Sequence, residues 1–441
     1  MALNLIALVS IFRYMRREAS GGAEQPFSRF EPPVSVIVPA YNEAVSIAAS
    51  VRSLLQLNYP EFEIIVVNDG STDATLETLK REFSLAPLPD ISRRRLDTKP
   101  ARAVYHSTIH PELTVIDKDN GGKADALNAG INASRYPLFC GVDADSILQR
   151  DSLHKVVRPF LEDSSTVAAG GSVRAVNGCV VSGGFLVESG LPKNPLALFQ
   201  VVEYLRAFLI GRLGWSQLNA LMVISGAFGL FKKEPVIEAG GYNPATVGED
   251  MELVVRLHRL MRAKGARYRI AFLPDPICWT EAPENAATLR NQRIRWQRGL
   301  AESLALNRGL LFSRRGGMVG WFAFPFMLAF ELLGAPVEVM GYLFMGAGYL
   351  LDAVSPEAFF SFLFLAVGLG MLLSVNSLLV EEMSFRIYRK PSNIALLFLY
   401  CAAENFGYRQ MNAWWRVVGF WRFMAGARGG WGEMKRKGLG D

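Results

Sequence analysis

The sequence predicts an α/β domain built on a parallel sheet, followed by apolar helices of a membrane part. Three observations predict it. Val34–Val38 is an unbroken apolar run rich in β-branched residues, the pattern of a strand buried on both faces rather than an alternating surface strand. Three more short runs, Glu63–Asn68, Leu113–Asp117 and Pro137–Val142, alternate with helical stretches and each ends in a polar loop. Finally, the chain is 50% hydrophobic with 20% charged residues, and the apolar excess gathers after Gly316, with a smaller piece at Met1–Phe12.

The 441 residues suffice for a large core and more than one domain. The reading divides them into an anchor and linker (1–30), a cytosolic α/β domain with interfacial helices (31–312), transmembrane helices (313–424) and a basic cytosolic tail (425–441). Met1–Phe12 is shorter than the ~20 residues that cross a hydrocarbon core, so it is either an interfacial anchor or a short span extended through Tyr14 and Met15. Arg13, Arg16 and Arg17 hold residues 13–30 on the cytoplasmic side. The net charge of +6 fits this positive-inside bias. Its basic residues are scattered rather than gathered into a stripe, which argues against nucleic acid. Cys140, Cys179, Cys278 and Cys401 have no paired spacing, so neither a disulfide framework nor a zinc site is expected.

In the first unit, Pro39 ends the strand, and Tyr41, Asn42 and Glu43 occupy the loop before the helix Ala44–Leu57. Ligands of open α/β sheets bind beyond the carboxyl ends of the strands, where this trio lies. The second strand ends at Asp69-Gly70-Ser71, beside the Tyr41 loop if the two strands are neighbours. Residues 84–112, with several prolines and the run Arg93-Arg94-Arg95, read as an irregular exposed excursion. The third strand leads to Asn120-Gly121-Gly122-Lys123 and the helix Ala124–Ala133; glycines before a helix start with a lysine attached suit a phosphate, although the Walker spacing is absent.

The fourth strand ends in Asp143-Ala144-Asp145. Two carboxylates one residue apart at a strand end suit a hard divalent cation bridging a diphosphate, and equally a solvated turn that caps the next helix. Gly248-Glu249-Asp250 opens a helix at Met251–Arg262, where acidic residues favour the helix dipole and a carboxylate within reach of a hydroxyl can act as general base. Gln292-Arg293-Ile294-Arg295-Trp296 lies in a helix over Ala286–Asn307; Arg293 and Arg295, two apart, do not share one face, whereas Gln292, Arg295 and Trp296 can form a continuous patch. Pro195–Trp215 reads as an interfacial helix carrying Arg206 and Arg212, and Val223–Phe231 by its residues alone as a tight core strand, with Gly226 allowing close backbone approach.

These stretches together resemble the membrane-bound family 2 glycosyltransferases, especially the processive polysaccharide synthases: cellulose, hyaluronan, chitooligosaccharide and poly-N-acetylglucosamine synthases. The matching pieces are VPAYNE (38–43), VNDGSTD (67–73), NGGKADALNAGIN (120–132), DAD (143–145), GED (248–250) and QRIRW (292–296), in the family's order. At GED the family's usual motif is Thr-Glu-Asp, and here Gly248 stands in place of the threonine. The resemblance implies a GT-A fold (Rossmann-like, nucleotide-diphospho-sugar transferase) and inversion at the anomeric carbon. It implies that Tyr41, Glu43, Asp69, Lys123, Asp143 and Arg295 hold a UDP-sugar, that Asp143 and Asp145 hold Mg²⁺ or Mn²⁺, that Asp250 with Glu249 is catalytic, and that Gln292, Trp296 and Gly226 meet the acceptor. It further implies a growing β-linked polysaccharide or a glycolipid as acceptor, the lipid bilayer as partner, room for export subunits that this chain does not specify, and a multi-pass inner-membrane location with a cytosolic catalytic domain. A non-processive transferase acting on a lipid-linked acceptor, and an inactive binding or signalling protein, are the alternatives.

In the apolar part, Val319–Leu351 carries Glu331 and Glu338, which either line a polymer path or pair within the bundle. Phe359–Val380 is a cleaner span, and the segment after Ile394 either crosses or does not. Three to five crossings are expected.

Overall fold

The computed structural model describes residues 2–17, 31–89 and 94–426. The linker 18–30, Arg93 and the basic tail from residue 427 lie outside the described residues.

The core is one ten-stranded mixed sheet. Its strands are β1 (Val34–Ala40), β2 (Phe62–Asp69), β3 (Leu85–Leu88), β4 (Ala101–Ser107), β5 (Leu113–Lys118), β6 (Leu138–Val142), β7 (Ile147–Leu148), β8 (Thr166–Ala175), then, after a separate hairpin of β9 (Val180–Ser182) and β10 (Phe185–Glu188), β11 (Phe228–Lys232) and β12 (Arg269–Thr280). The order across the sheet is β3-β4-β5-β2-β1-β6-β11-β8-β12-β7. The four strands read from the sequence, β5, β2, β1 and β6, are mutually parallel neighbours at its centre. Their burial on both faces explains their uninterrupted apolar character.

Two expectations need correction in this half. Pro39 does not end β1: it pairs with Val67 of β2. The ladder to β6 stops at Ile37, so Pro39 sits where β1 has only one laddered edge and a missing N–H is tolerated. The described residues of 84–112 are not an irregular excursion either, since they supply the antiparallel strands β3, at the edge of the sheet, and β4 beside it. Pro87 lies in the outermost strand, where proline is at home.

The last strand is longer than its apolar run suggests: β12 continues through Cys278-Trp279-Thr280 along β8, with register shifts near Pro276. The segment from Pro195 is a helix to Leu205, a π-helical turn over Arg206–Arg212 and a short helix over Leu213–Gln217. It is an internal layer rather than a surface helix. One side carries Phe208 onto Phe272 of β12, and on the other Arg206 pairs with Glu404 at 2.6 Å. The N-terminal helix Ala2–Arg17 packs on the same layer, with Ala7 and Ile11 buried.

Two stretches, Val319–Leu350 and Pro356–Ser384, are long and apolar enough to cross a membrane. The first is broken into π-helical turns up to Leu332 and a straight helix from Gly334 to Leu350. Pro391–Ala403 is a shorter apolar helix of 13 residues. The last helix, Tyr408–Met424, lies along Ala286–Leu306 of the α/β domain, so closely that a Cβ on Gly419 would stand 2.7 Å from the Ile294 carbonyl oxygen. The two glutamates within Val319–Leu351 are paired: Glu338 with Arg409 at 2.8 Å and Glu331 with Arg416 at 3.3 Å. Of the two readings of these carboxylates, pairing within the bundle is the observed one.

Candidate active site

The carboxyl edge of the central parallel strands carries the functional loops. Since β1 and β2 are adjacent, the loop after Ala40 lies against the loop after Asp69. Asn42, at φ 56°, turns its backbone so that its N–H donates to Ser71 Oγ at 3.0 Å, while its Oδ1 accepts from the Thr72 N–H at 2.9 Å. Tyr41 is left 45% exposed, and the Glu43 carboxylate accepts from Ser46 Oγ at 2.7 Å.

Asp69 is almost wholly buried and organises its neighbourhood. Its carboxylate accepts from Lys118 Nζ at 2.6 Å, from the Gly121 N–H at 3.0 Å and from the Gly122 N–H at 2.7 Å. Lys118 also meets Asp125 at 2.5 Å, with none of its side chain exposed. A lysine buried in a parallel strand needs both carboxylates, because an unpaired ammonium there would carry a large desolvation cost. This triad holds the Asn120–Gly122 turn open. Gly122, at φ 85°, leads into the helix Lys123–Ala133. Lys118 is not singled out by any sequence motif; its one signal is a charged residue continuing an apolar strand between Asp117 and Asp119.

Lys123 then reaches across the sheet edge. Its Nζ lies 2.5 Å from Asp143 Oδ1 and 3.8 Å from Glu249 Oε1, and donates to the Gly226 carbonyl at 3.0 Å. The Gly226 N–H donates in turn to Asp250 Oδ2 at 3.0 Å, while Asp250 Oδ1 accepts from the Met251 N–H at 2.8 Å. Four separate stretches of sequence thus converge on one cleft, whose walls also include Ser225, Tyr242, Leu127 and Gly141. Tyr242, unmarked in the sequence, follows a glycine pair and is held by Asn128, which accepts from its backbone N–H at 2.7 Å and donates to its carbonyl at 2.8 Å.

The charges balance locally. Burial alone would lower the Lys123 pKa, but Asp143, Glu249 and Asp250 outweigh it and hold it raised. Burial pushes the Glu249 carboxyl up to about 7, against the pull of Lys123.

Arg295 and Arg293 separate as their spacing predicts. Arg293 is buried, paired with Glu203 at 2.7 Å, and stacks 4.5 Å from the Trp296 ring centroid. Arg295 faces the other way, and its charge acts on Glu249. Trp296 is 45% exposed, and Gln292 Oε1 is buried without a hydrogen-bond partner among the described residues.

Asp143 and Asp145 follow β6 directly. Among the described residues, no group of three His, Cys, Asp or Glu side chains encloses a metal position by itself. Two carboxylates fit Mg²⁺ or Mn²⁺ bound in the usual way, with diphosphate oxygens and water completing the coordination. The Asp143 side chain is 28% exposed on the cleft side, and Asp145 is nearly buried.

Comparison with known proteins gives a consistent answer. Residues 35–183 match the model of glycosyl transferase family 2, and residues 139–375 match that of glycosyl transferase family group 2. The chain is 30% identical over 274 residues to a poly-beta-1,6-N-acetyl-D-glucosamine synthase of Staphylococcus aureus, and 29% identical over 274 residues to that of Staphylococcus epidermidis. The match takes in 62% of this chain and 55% of each relative. Among solved structures, a mannosyltransferase from Pyrobaculum calidifontis in complex with GDP-Man and Mn²⁺ superposes with a TM-score of 0.53 at 19% identity, covering 97% of this chain and 100% of that one. That likeness establishes a GT-A type of fold.

Proposed function

Since the chain belongs to glycosyl transferase family group 2, we propose that it transfers a sugar from a UDP-sugar, with inversion, to the non-reducing end of a growing β-linked polysaccharide. The observation that carries this reading is the continuous link Asp143–Lys123–Gly226–Asp250 in one cleft at the carboxyl edge of the sheet. The relatives, named as synthases of an N-acetylglucosamine polymer, favour UDP-N-acetylglucosamine as donor.

In this mechanism the uridine end lies along the Tyr41–Glu43 loop, above the turn that Asp69 braces. Lys123 and Arg295 attract the diphosphate, Arg295 being able to grip it in bidentate fashion. A divalent cation held by Asp143 and Asp145 would neutralise the diphosphate charge. Asp250 accepts the proton of the acceptor hydroxyl as that oxygen bonds to the sugar C1 from the face opposite the leaving group. The bond from C1 to the diphosphate oxygen breaks with its electron pair, and UDP departs. Glu249 keeps Lys123 oriented, and Gln292 and Trp296 support the acceptor, the indole by stacking on a sugar ring.

We place the domain 31–312 at the cytosolic face of the inner membrane, the helices of 313–424 in the bilayer, and the product path through them. Processive addition is favoured over single transfer to a lipid-linked sugar by QRIRW standing next to these helices. An inactive binding protein would have no need of an intact Lys123–Asp143–Asp250 constellation. Purified protein in detergent, given a panel of UDP-sugars with Mn²⁺, is expected to release UDP fastest with UDP-N-acetylglucosamine and to yield long products. Absence of UDP release with every donor would sink the enzyme reading, and single-sugar products would sink the processive one.

A further inference from the structure

Lys118 is a buried charge that the transfer step leaves without a task. It ends β5, in register with Asp69 at the end of β2, and none of its side chain is exposed. Its ammonium has three N–H groups, and three oxygens surround it: Asp69 Oδ1 at 2.6 Å, Asp125 Oδ1 at 2.5 Å and the Asp119 carbonyl at 2.6 Å. With every donor spent inside the protein, Lys118 cannot touch a substrate and can act only by placing other groups.

The two carboxylates it joins hold the Asn120–Gly122 turn from both sides. Asp69 takes the Gly121 and Gly122 N–H groups at 3.0 Å and 2.7 Å, and its carbonyl accepts from Asn120 Nδ2 at 2.8 Å. These glycine N–H groups therefore point into the protein, and the phosphate cradle expected of glycines before a helix is not formed by them. Asp125 lies in the first turn of the helix Lys123–Ala133 and presses on Gly121, where a Cβ would stand 2.5 Å from the Asp125 Cγ. It also accepts from the Lys99 N–H at 3.1 Å. Lys118 thus pins the start of this helix to the sheet edge. The first residue of the helix is Lys123, whose Nζ reaches Asp143 at 2.5 Å and the Gly226 carbonyl at 3.0 Å. The Tyr41–Glu43 loop is fixed separately: the Asn42, Glu43 and Ala44 N–H groups donate to Ser71 Oγ, Thr75 Oγ1 and Asp73 Oδ2 at 3.0, 2.9 and 3.1 Å.

We propose that Lys118 is a positioning residue for the donor diphosphate: through Asp69 and Asp125 it holds Lys123, the group that meets the diphosphate, in place at the cleft, and it has no part in holding the uridine. The proposal rests on the transferase reading and on the role of Lys123 within it. Without Lys118 two buried carboxylates face each other uncompensated, and their repulsion drives Asp125 away from Asp69 together with the start of its helix. Lys123 then leaves its place beside Asp143, while the loop that receives the uridine keeps its own hydrogen bonds.

The test uses the full chain in detergent, with the affinities of UDP and of uridine measured by calorimetry. Lys118→Met is expected to lower UDP affinity by about tenfold or more, the scale of a lost hydrogen bond to a charged group, while uridine affinity stays within about twofold. Lys118→Arg should recover part of the UDP affinity. In a Lys123→Met background the same replacement should change UDP affinity by less than about twofold, because a residue acting only through Lys123 has nothing left to act on. Unchanged UDP affinity in Lys118→Met overturns the proposal. So does an equal loss of uridine affinity, the pattern of a merely structural role, and so does an additive loss in the Lys123→Met background. If Lys118→Met does not fold, Asp125→Asn is read in its place: lowered UDP affinity with uridine affinity kept supports the proposal, and any other pattern overturns it. A parent protein that neither binds UDP nor releases it from any UDP-sugar removes the transferase reading itself, and the role of Lys118 with it.

Discussion

Gly248 and Gly299 meet backbone to backbone: a Cβ on either would stand 2.7 Å from the Cα of the other. This contact seats the helix Ala286–Leu306, which carries Arg295 and Trp296, on the turn that presents Glu249 and Asp250. Glu302 secures the same turn by accepting from Thr246 Oγ1 at 2.8 Å and from the Val247 N–H at 2.9 Å. The glycine that departs from the family's Thr-Glu-Asp pattern thus has a steric reason here, supplied by a residue far along the chain.

Gly299→Ala is accordingly expected to destabilise the protein by about 1–3 kcal/mol, as overpacking of a tight contact does. It should also weaken UDP release, because the two helices can make room only by moving Arg295 away from Glu249. Thermal denaturation and the initial rate of UDP release, measured on the same preparation, check both parts. An unchanged melting temperature would show that the contact is not tight.

Asp250→Asn should abolish transfer, with a loss of roughly 10²–10⁴-fold, the usual scale of general base catalysis. Asparagine retains a carbonyl oxygen for the Gly226 N–H, so the loop stays in place and UDP binding should be largely intact. UDP affinity by calorimetry beside the transfer rate separates the two effects. Lost UDP binding would make Asp250 a donor-site or structural residue instead.

Chelation is expected to stop UDP release, with Mn²⁺ or Mg²⁺ restoring it, because Asp143 and Asp145 repel a diphosphate unless a divalent cation lies between them. Asp145→Asn should raise the Mn²⁺ concentration needed for half-maximal rate. Full activity in excess chelator would count against a cation at Asp143 and Asp145.

His258 is fully buried between Tyr268 and the Leu221 carbonyl, its ring nitrogens 2.7 Å and 2.8 Å from them. Burial pushes its pKa down to about 4 from the ordinary 6.5. Between those two pH values the unfolded chain binds a proton that the folded chain does not, so stability is lost as pH falls through the window. The full effect is of the order of 3 kcal/mol. Melting temperature followed from pH 7 to pH 4 should fall less steeply in His258→Gln than in the parent protein. Parallel curves would remove His258 as the source.

Arg174 and Glu381 form an ion pair in which each side chain is 1% exposed, tying β8 to the end of the long apolar helix Pro356–Ser384. Removing one partner leaves a buried charge uncompensated, at a cost of about 3–5 kcal/mol, so Arg174→Met or Glu381→Leu alone should be strongly destabilising. The double replacement should be milder than either. Denaturation of the three variants in detergent checks this, and additive losses would show that the pair does not act as a unit.

By itself the sequence determined the four central parallel strands, the loops at their carboxyl ends and the residue types gathered there, because local apolar runs and turn chemistry are written within a few residues of one another. It also separated Arg293 from Arg295, since helical spacing alone turns them to different sides. The strands β3 and β4 were hidden, because β3 is an edge strand that tolerates a proline and β4 beside it is half exposed, so both read as loop. Only the tertiary structure decided which charges meet. Asp69 turned out to be engaged with Lys118 and two backbone N–H groups, Lys123 was brought to Asp143 and Glu249, and Gly248 was laid against Gly299. These relations join residues tens to hundreds of positions apart, and burial, which sets the value of each charge and each N–H, exists only once the sheet and the helices have packed.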